Sequence, residues 1–276
     1  MDRSYLFVPA TQPERIKKAL ASDADAIIID LEDAVAVSEK EKARDHVMKA
    51  LHEVGEPSKA IYVRINDLLT AFWRDDVSLL KEYPFAGIVL PKTNSEENIA
   101  EIENYVPENQ HIIPLLETAQ GVLSVKNIAG SSTRIKRLAF GAIDYSLELG
   151  INLSTNQEEL IYPRSMIAIS SKAHGLQPPI DTVYTEFKND AGLIHESSLG
   201  KQHGFYAKLC IHPIQTTIVN QIFAPTSEEI QRANELVMAF EKAEIEGLAA
   251  IQVNGEMVDY PVYKQALQVL ERVRLK

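Results

Sequence analysis

The sequence has few of the features that mark secreted or membrane-spanning proteins. It contains one cysteine, Cys210, which cannot form a disulfide within the chain; this is typical of a protein from a reducing cytosol. No apolar run approaches the roughly 20 residues that a membrane-spanning helix needs. The apolar run at residues 5–10 is too short for a secretory signal and has no basic segment before it. We therefore expect a soluble cytoplasmic protein.

Positive charge is also scarce. Lys and Arg number 28 against 39 Asp and Glu, which gives a net charge of −11. This balance argues against general binding to nucleic acid or to an anionic membrane, although a local basic pocket could still bind a small anion. The apolar share of 45 % and the charged share of 24 % are those of an ordinary globular protein.

Short apolar runs alternate with amphipathic stretches along the chain. Many of the runs are apolar on both faces, as in parallel strands buried on both sides. The predicted strands are residues 4–8, 26–31, 60–65, 87–90, 111–116, 137–143, 181–186 and 206–211. The predicted helices are residues 12–22, 38–54, 73–82, 95–105, 120–129, 158–174, 190–203, 227–246 and 260–274.

This order predicts an α/β fold, a (β/α)8 TIM barrel, for which about 250 residues is the usual size. An open doubly wound sheet is the alternative, but its phosphate-binding G-x-G-x-x-G pattern is missing. We assign the barrel to residues 1–225 and an additional helical segment, a cap or an arm, to residues 226–276.

Charged and polar residues follow nearly every predicted strand, where a barrel has its active site. Glu117 and Asp144 follow two successive strands, so their carboxylates could converge on one cation. Without paired Cys or His ligands, Mg²⁺ or Mn²⁺ is favoured over zinc. The simpler alternative is that strand ends are polar because loops are solvated.

Arg64 ends the third predicted strand, and a guanidinium in a barrel mouth needs an anion. That anion could be an acid across the barrel, a substrate carboxylate or a developing oxyanion. Glu32 and Asp33 follow the second strand and could either orient water bound to the metal or neutralise Arg64.

A set of ordered motifs resembles the β subunit of citrate lyase and its stand-alone relatives, within the HpcH/HpaI aldolase group. The motifs run from the first residues into the C-terminal segment. They are RSYLFVP at 3–9, IDLEDAV at 29–35, VRIN at 63–66, LPK at 90–92, LET at 116–118, FGAIDY at 140–145, IDTVY at 180–184, IHP at 211–213 and NGEMVD at 254–259.

The resemblance implies a Mg²⁺-dependent carbon–carbon lyase on a TIM barrel, usually a homotrimer. It would cleave a citryl, malyl or citramalyl thioester of coenzyme A or an acyl carrier protein into a 2-oxo acid and an acetyl thioester. Glu117 and Asp144 match the family's metal ligands, Glu117 also borders the substrate, and Arg64 matches the substrate-binding arginine.

The same resemblance places Pro9 and Lys92 beside the substrate. It also matches Asp259 to a catalytic acid in a C-terminal segment that related lyases insert into a neighbouring subunit's site. Two departures lie near the expected thioester arm: Ala10 stands where glycine is frequent, and Ala207 precedes Lys208 where many relatives have Gly-Lys.

Two other functions remain open. One is a pyruvate aldolase of the same group acting on free hydroxy-oxo acids. Such enzymes often use an early histidine, whereas the first histidine here, His46, lies in a predicted surface helix. The other is a non-catalytic subunit of a larger complex.

Overall fold

The computed structural model describes residues 1–274 of the chain. These residues divide into a large compact unit, Asp2–Gln221, and a smaller unit that begins at Ile222. No described helix is both long and apolar enough to cross a membrane.

Eight parallel strands close into a barrel in the large unit, which confirms the predicted fold. Each strand pairs with its sequence neighbour, and β1 pairs with β8. The strands are β1 Ser4–Pro9, β2 Ala26–Asp30, β3 Ala60–Arg64, β4 Gly87–Leu90, β5 His111–Leu116, β6 Ala139–Phe140, β7 Ile180–Asp181 and β8 Ala207–Cys210.

One or two helices follow each strand. They are α1 Pro13–Leu20, α2 Lys40–Val54, α3 Trp73–Ser78, α4 Glu96–Glu103, α5 Ala119–Gly130, α6 Ala142–Leu149, α7 Ile161–Ala173, α8 Asp190–Gln202 and α9 Pro213–Phe223. Short 3-10 turns precede α2 and α7 and follow α3.

The barrel interior contains at least one buried side chain from every strand. Alternate residues of a strand point to opposite faces, so the residues between them face the helices, as the fully buried Ile27 and Ile29 do. The interior set is Tyr5, Ala26, Ile28, Tyr62, Val89, Ile113, Leu115, Ala139, Ile180, Ala207 and Leu209.

The same two-residue period continues to the carboxyl ends of the strands. Two residues beyond Tyr5, Ile28, Tyr62 and Leu115 lie Phe7, Asp30, Arg64 and Glu117. The alternation that fills the core therefore directs these four side chains into the mouth of the barrel.

At the opposite end of the barrel, Arg137 precedes β6 instead of starting it. The Arg137 guanidinium donates to the carbonyl oxygens of Pro178 at 2.5 Å and Asp2 at 2.6 Å, and to the Tyr5 hydroxyl at 3.2 Å. Arg137 therefore links the segments that precede β6, β7 and β1.

Strands β6 and β7 are shorter than the predictions of residues 137–143 and 181–186. The chain leaves β6 after Phe140 because Gly141 leads directly into α6, and the backbone N–H of Ala142 donates to Thr182 Oγ1 at 3.0 Å. Asp144 therefore lies in the first turn of α6, not at a strand end.

The smaller unit contains α10 Ser227–Ile245, β9 Ala250–Val253, β10 Glu256–Asp259 and α11 Tyr260–Arg274. From the sequence we predicted only the two helices of this unit. The hairpin between them turns at Asn254 and Gly255, both with positive φ (50° and 86°). Asn-Gly favours such a turn because both residues adopt the left-handed conformation readily.

Candidate active site

The most strongly paired group in the barrel mouth is the Arg64 guanidinium. Asp30 and Arg64 are register partners on β2 and β3. Arg64 Nε donates to Asp30 Oδ1 at 2.8 Å and Nη2 donates to Oδ2 at 2.6 Å. This two-bond pairing fixes the plane of the guanidinium, which also lies 4.9 Å from the centroid of the Phe7 ring.

The other contacts of Asp30 hold its carboxylate in place against Arg64. It is buried, and its carboxylate also accepts the backbone N–H groups of Glu32 at 2.9 Å and Ala34 at 3.3 Å. We predicted no role for Asp30 from the sequence. The period of two along β2, which aligns Asp30 with Ile28 in the interior, was the signal that would have found it.

Glu32 lies between two cations. Its Oε2 is 2.9 Å from Arg64 Nη1, and its Oε1 forms an ion pair with Lys92 Nζ. Burial raises the pKa of Glu32, and the charges of Arg64 and Lys92 oppose that rise. Asp33 is more exposed, with Oδ2 3.4 Å from Arg64 Nη1. Both acids thus lie against Arg64.

Lys92 has a backbone conformation that is uncommon for a residue with a side chain. Its φ is 47°, in the left-handed region, and such strain concentrates at functional sites. This conformation lets Lys92 contribute twice: its N–H donates to Glu117 Oε1 at 2.8 Å, and its ammonium pairs with Glu32.

Glu117 follows β5 and is only 2 % exposed. Gly141 makes room for it, because a Cβ on Gly141 would lie 2.6 Å from Glu117 Cβ and 2.8 Å from Oε2. Burial, with the charge of Glu32 and then that of Asp144, raises the pKa of Glu117 to about 8. A nearby cation would stabilise the ionised form of a carboxylate whose pKa is raised in this way.

Glu117 and Asp144 line the same small cavity, of about 70 Å³, in the barrel mouth. Its polar walls come from Arg64, Glu117, Asp144 and Thr182. The remaining lining residues are Phe7, Leu115, Gly141, Ile143, Val183 and Leu209.

The donor set fits magnesium. Within residues 1–274 no group of three or more His, Cys, Asp or Glu side chains is close enough to hold a metal ion. Two carboxylates on one cavity match the way Mg²⁺ binds, with water and substrate as its other ligands. Zinc, which takes three or four protein ligands, fits less well.

Pro9 ends β1 and lines a separate cavity of about 290 Å³ that shares Phe7 with the first. Arg15 and Lys18 of α1 and His212 also line it. The structure thus places Pro9 beside the small cavity, not in it.

Asp259 lies in the smaller unit, at the end of β10. It is partly exposed, and its Oδ1 accepts the N–H of Val262 at 3.2 Å in the first turn of α11. The role implied for Asp259 by resemblance stays a prediction.

The sequence pattern of the HpcH/HpaI aldolase/citrate lyase family matches residues 3–213. The chain belongs to this family. The citrate lyase subunit beta of Leuconostoc mesenteroides subsp. cremoris is 34 % identical to it over 98 % of this chain and 92 % of its own length. The human mitochondrial citramalyl-CoA lyase is 30 % identical over 96 % of this chain and 83 % of its own.

The solved structure of another relative matches nearly the whole of this chain. The CitE protein of Mycobacterium tuberculosis, in complex with magnesium, acetoacetate and coenzyme A, superposes with a TM-score of 0.83 at 30 % identity. The match covers 99 % of this chain and 98 % of that one. The family membership confirms the resemblance on which the sequence analysis relied.

Proposed function

We propose that this protein is a Mg²⁺-dependent carbon–carbon lyase. Its substrate is a 3-hydroxyacyl thioester of the citramalyl, malyl or citryl type, and its products are a 2-oxo acid and an acetyl thioester. The observation that carries the proposal is that Glu117, Asp144 and Arg64 line one cavity at the carboxyl end of the barrel. The named activity of the human relative supports the same reaction class.

Glu117 and Asp144 would hold the Mg²⁺, with Mn²⁺ as a possible replacement. When bound, the ion acts as a Lewis acid that polarises the oxygen on the carbon being cleaved. Lys92 supports this arrangement because its N–H holds Glu117 Oε1 in position at 2.8 Å. Gly141 supports it by leaving space for the Glu117 side chain.

Arg64 stabilises the negative charge that develops as the substrate hydroxyl gives up its proton to solvent water. The carbon–carbon bond then breaks, its electron pair moves onto the thioester as an enolate, and protonation of that enolate gives the acetyl thioester. Asp30 positions Arg64 for this role, since its carboxylate accepts from Nε and Nη2, while Nη1 lies against Glu32 and Asp33.

We assign protonation of the enolate to Asp259, supplied by the 226–276 segment of a neighbouring subunit in a homotrimer. The NGEMVD motif that contains Asp259 supports this assignment by resemblance. Large apolar side chains on successive helices of the barrel unit support an interface between copies. They are Leu123, Leu147 and Ile169, which are 67 %, 78 % and 64 % exposed.

We propose that the thioester arm crosses the cavity that Pro9 lines. Arg15 and Lys18 line this cavity and supply positive charge for the phosphates of coenzyme A or of an acyl carrier protein. The coenzyme A bound to the Mycobacterium tuberculosis relative supports the first of these carriers. We also propose a cytoplasmic location, which the buried free thiol of Cys210 supports.

The test is release of a 2-oxo acid from a set of CoA thioesters by the purified full-length chain, with Mg²⁺ and with a chelator. Turnover that needs both the thioester and the metal supports the proposal. Cleavage of free hydroxy-oxo acids without coenzyme A would identify a pyruvate aldolase instead. No turnover and no Mg²⁺ binding by the chain alone would identify a non-catalytic subunit.

A further inference from the structure

Lys40 is a buried cation in a place where it does not stabilise its own helix. It is the first residue of α2 and is only 6 % exposed. A positive charge at the amino end of a helix opposes the helix dipole, and lysine is seldom buried without a partner. Burial lowers the pKa of Lys40, and the negative charges of Asp76, Asp30 and Glu32 oppose that decrease. Its placement is therefore explained by what the ammonium group contacts, not by helix stability.

The ammonium group of Lys40 holds the turn that follows β2. Its Nζ donates to the carbonyl oxygens of Leu31 and Glu32, at 2.7 Å each. In the same turn the Asp30 carboxylate accepts the backbone N–H groups of Glu32 and Ala34, at 2.9 and 3.3 Å. The backbone of Glu32 is thus held by a charged side chain at its N–H group and by another at its carbonyl group.

The two carbonyl groups that contact Lys40 differ in their other donors. The Leu31 oxygen also accepts from Nδ2 of the buried Asn66 at 3.1 Å. The Glu32 oxygen also accepts the N–H of Val35 at 3.1 Å, which is a contact within the turn. Lys40 therefore ties the backbone of Glu32 to α2, and its loss should disturb Glu32 more than Leu31.

The side chain of Glu32 extends from this backbone between the two cations of the barrel mouth. Its Oε2 lies 2.9 Å from Arg64 Nη1, and its Oε1 pairs with Lys92 Nζ. Lys92 in turn holds Glu117 Oε1 through its backbone N–H at 2.8 Å. A displacement of Glu32 by about 1 Å would weaken both ion pairs, and errors of that size in supporting residues lower catalysis strongly.

We propose that Lys40 is a positioning residue of the active site. By fixing the turn after β2, it places the Glu32 carboxylate where that group can orient both Arg64 and Lys92. The effect on turnover rests on the proposed lyase function, which this inference deepens by adding a residue outside the cavity. The geometric part, that Lys40 places Glu32, does not depend on the reaction.

A double-mutant cycle in the full-length enzyme tests whether Lys40 acts through Glu32. Lys40→Met keeps the length of the side chain without its charge, and Glu32→Gln removes the charge of the carboxylate. Each should lower kcat/KM with Mg²⁺ about tenfold. The double variant should fall no more than about threefold below the less active single variant, because both changes disrupt one arrangement. A double variant about a hundredfold below the wild type, as for independent sites, would overturn the proposal.

Lys42→Met is the matched control, since it makes the same substitution two residues further along α2. The Lys42 side chain is 67 % exposed and pairs with Glu39 at 3.1 Å, so we expect wild-type kcat and KM. Rates are expressed per folded molecule, with the folded fraction taken from thermal unfolding. A Lys40→Met variant that is less stable but keeps wild-type kcat and KM would show a purely structural role. If Lys40→Met does not fold, Lys40→Gln, which keeps a donor group, replaces it in every measurement.

Crystal structures of the wild type and of Lys40→Met give a readout that needs no turnover. We expect the Glu32 carboxylate of the variant to lose its contact with Arg64, with Lys92 or with both, while α2 and β3 keep their positions. Glu32 in the same place in both structures would overturn the proposal. If the wild type cleaves none of the thioesters, the lyase proposal fails, and the two structures still decide whether Lys40 positions Glu32.

Discussion

Two clusters of buried charged side chains in the barrel unit differ in their balance of acids and bases. The first, which we call the mouth cluster, consists of Asp30, Glu32, Arg64, Lys92 and Glu117. The second, which we call the sealed cluster, consists of Arg164, Asp181, Glu196 and Lys208. The mouth cluster borders a cavity and has more acids than bases. The sealed cluster has two of each, and its side chains, from β7, β8, α7 and α8, are at most 7 % exposed.

The sealed cluster satisfies its own charges. Arg164 Nε and Nη2 donate to the two Asp181 oxygens at 3.1 and 3.0 Å, and Lys208 Nζ donates to Glu196 Oε1 at 2.5 Å. Although burial alone would raise the pKa of Asp181, the charges of Arg164 and Lys208 lower it. No external ion is needed to stabilise these groups.

In the mouth cluster the pKa of the buried acid is raised instead of lowered. Burial and neighbouring carboxylates raise the pKa of Glu117 to about 8, because the cations nearby are already paired with other acids. Burial of charge is therefore not by itself a sign of function. The functional cluster is the one whose charges are incomplete without a ligand.

Glu117→Gln should separate the two clusters most clearly. It should lower Mg²⁺-dependent turnover by about 10³-fold, since it removes a proposed metal ligand. Stability should not fall, because a buried carboxylate with an unfavourable ionisation is replaced by a neutral amide. Turnover and thermal unfolding, measured on the same preparation, check this. The exposed Glu108→Gln serves as the control, and turnover that survives in Glu117→Gln would refute the metal role.

Asp181→Asn should have the opposite effects: lower stability and unchanged turnover. It leaves Arg164 and Lys208 with one carboxylate fewer in a buried site, which typically costs about 3–5 kcal/mol. Urea unfolding should show this loss, while kcat per folded molecule at low temperature stays near that of the wild type. A large fall in kcat with unchanged stability would place the sealed cluster in the active site.

Two glycines sharpen the comparison, since each lies against one of the key carboxylates. A Cβ on Gly141 would lie 2.8 Å from Glu117 Oε2, and one on Gly200 would lie 2.5 Å from Asp181 Oδ2. Gly200→Ala should cost about 1–3 kcal/mol of stability by overpacking, although alanine normally favours a helix. Gly141→Ala should instead weaken Mg²⁺ binding, measured by calorimetry. If both variants change the same property, the two clusters are not distinct in function.

Asp30→Asn should give the smallest of these effects. One hydrogen bond to Arg64 is retained, but the charge that fixes the guanidinium is lost, so kcat/KM should fall about tenfold. The matched control is Asp33→Asn, since Asp33 is more exposed and lies 3.4 Å from Arg64 Nη1. Equal losses in both variants would show that Asp30 does not have a special positioning role.

Alternation along the strands made most of the barrel predictable from the sequence. The predicted bounds of β4 and β5 agree with the structure, and Arg64 and Glu117 lie where the period of two places them. Strands β6 and β7 were overextended because apolar residues of the following segments, such as Ile143 and Val183, resemble a continuing strand. Their true ends depend on a long-range bond, Ala142 N–H to Thr182 Oγ1.

Other features of the site depended on tertiary structure. The left-handed conformation of Lys92 and the close approach of Gly141 to Glu117 have no local pattern that reveals them. By contrast, the turn at Asn254 and Gly255 has a recognisable local signal that the prediction did not use.

Calorimetric titration of the metal-free full-length protein with Mg²⁺ tests the central claim most directly. We expect one Mg²⁺ per chain in the wild type and in Glu108→Gln, and loss of that binding in both Glu117→Gln and Asp144→Asn. Binding of one ion with unchanged affinity in either of the last two variants would contradict it.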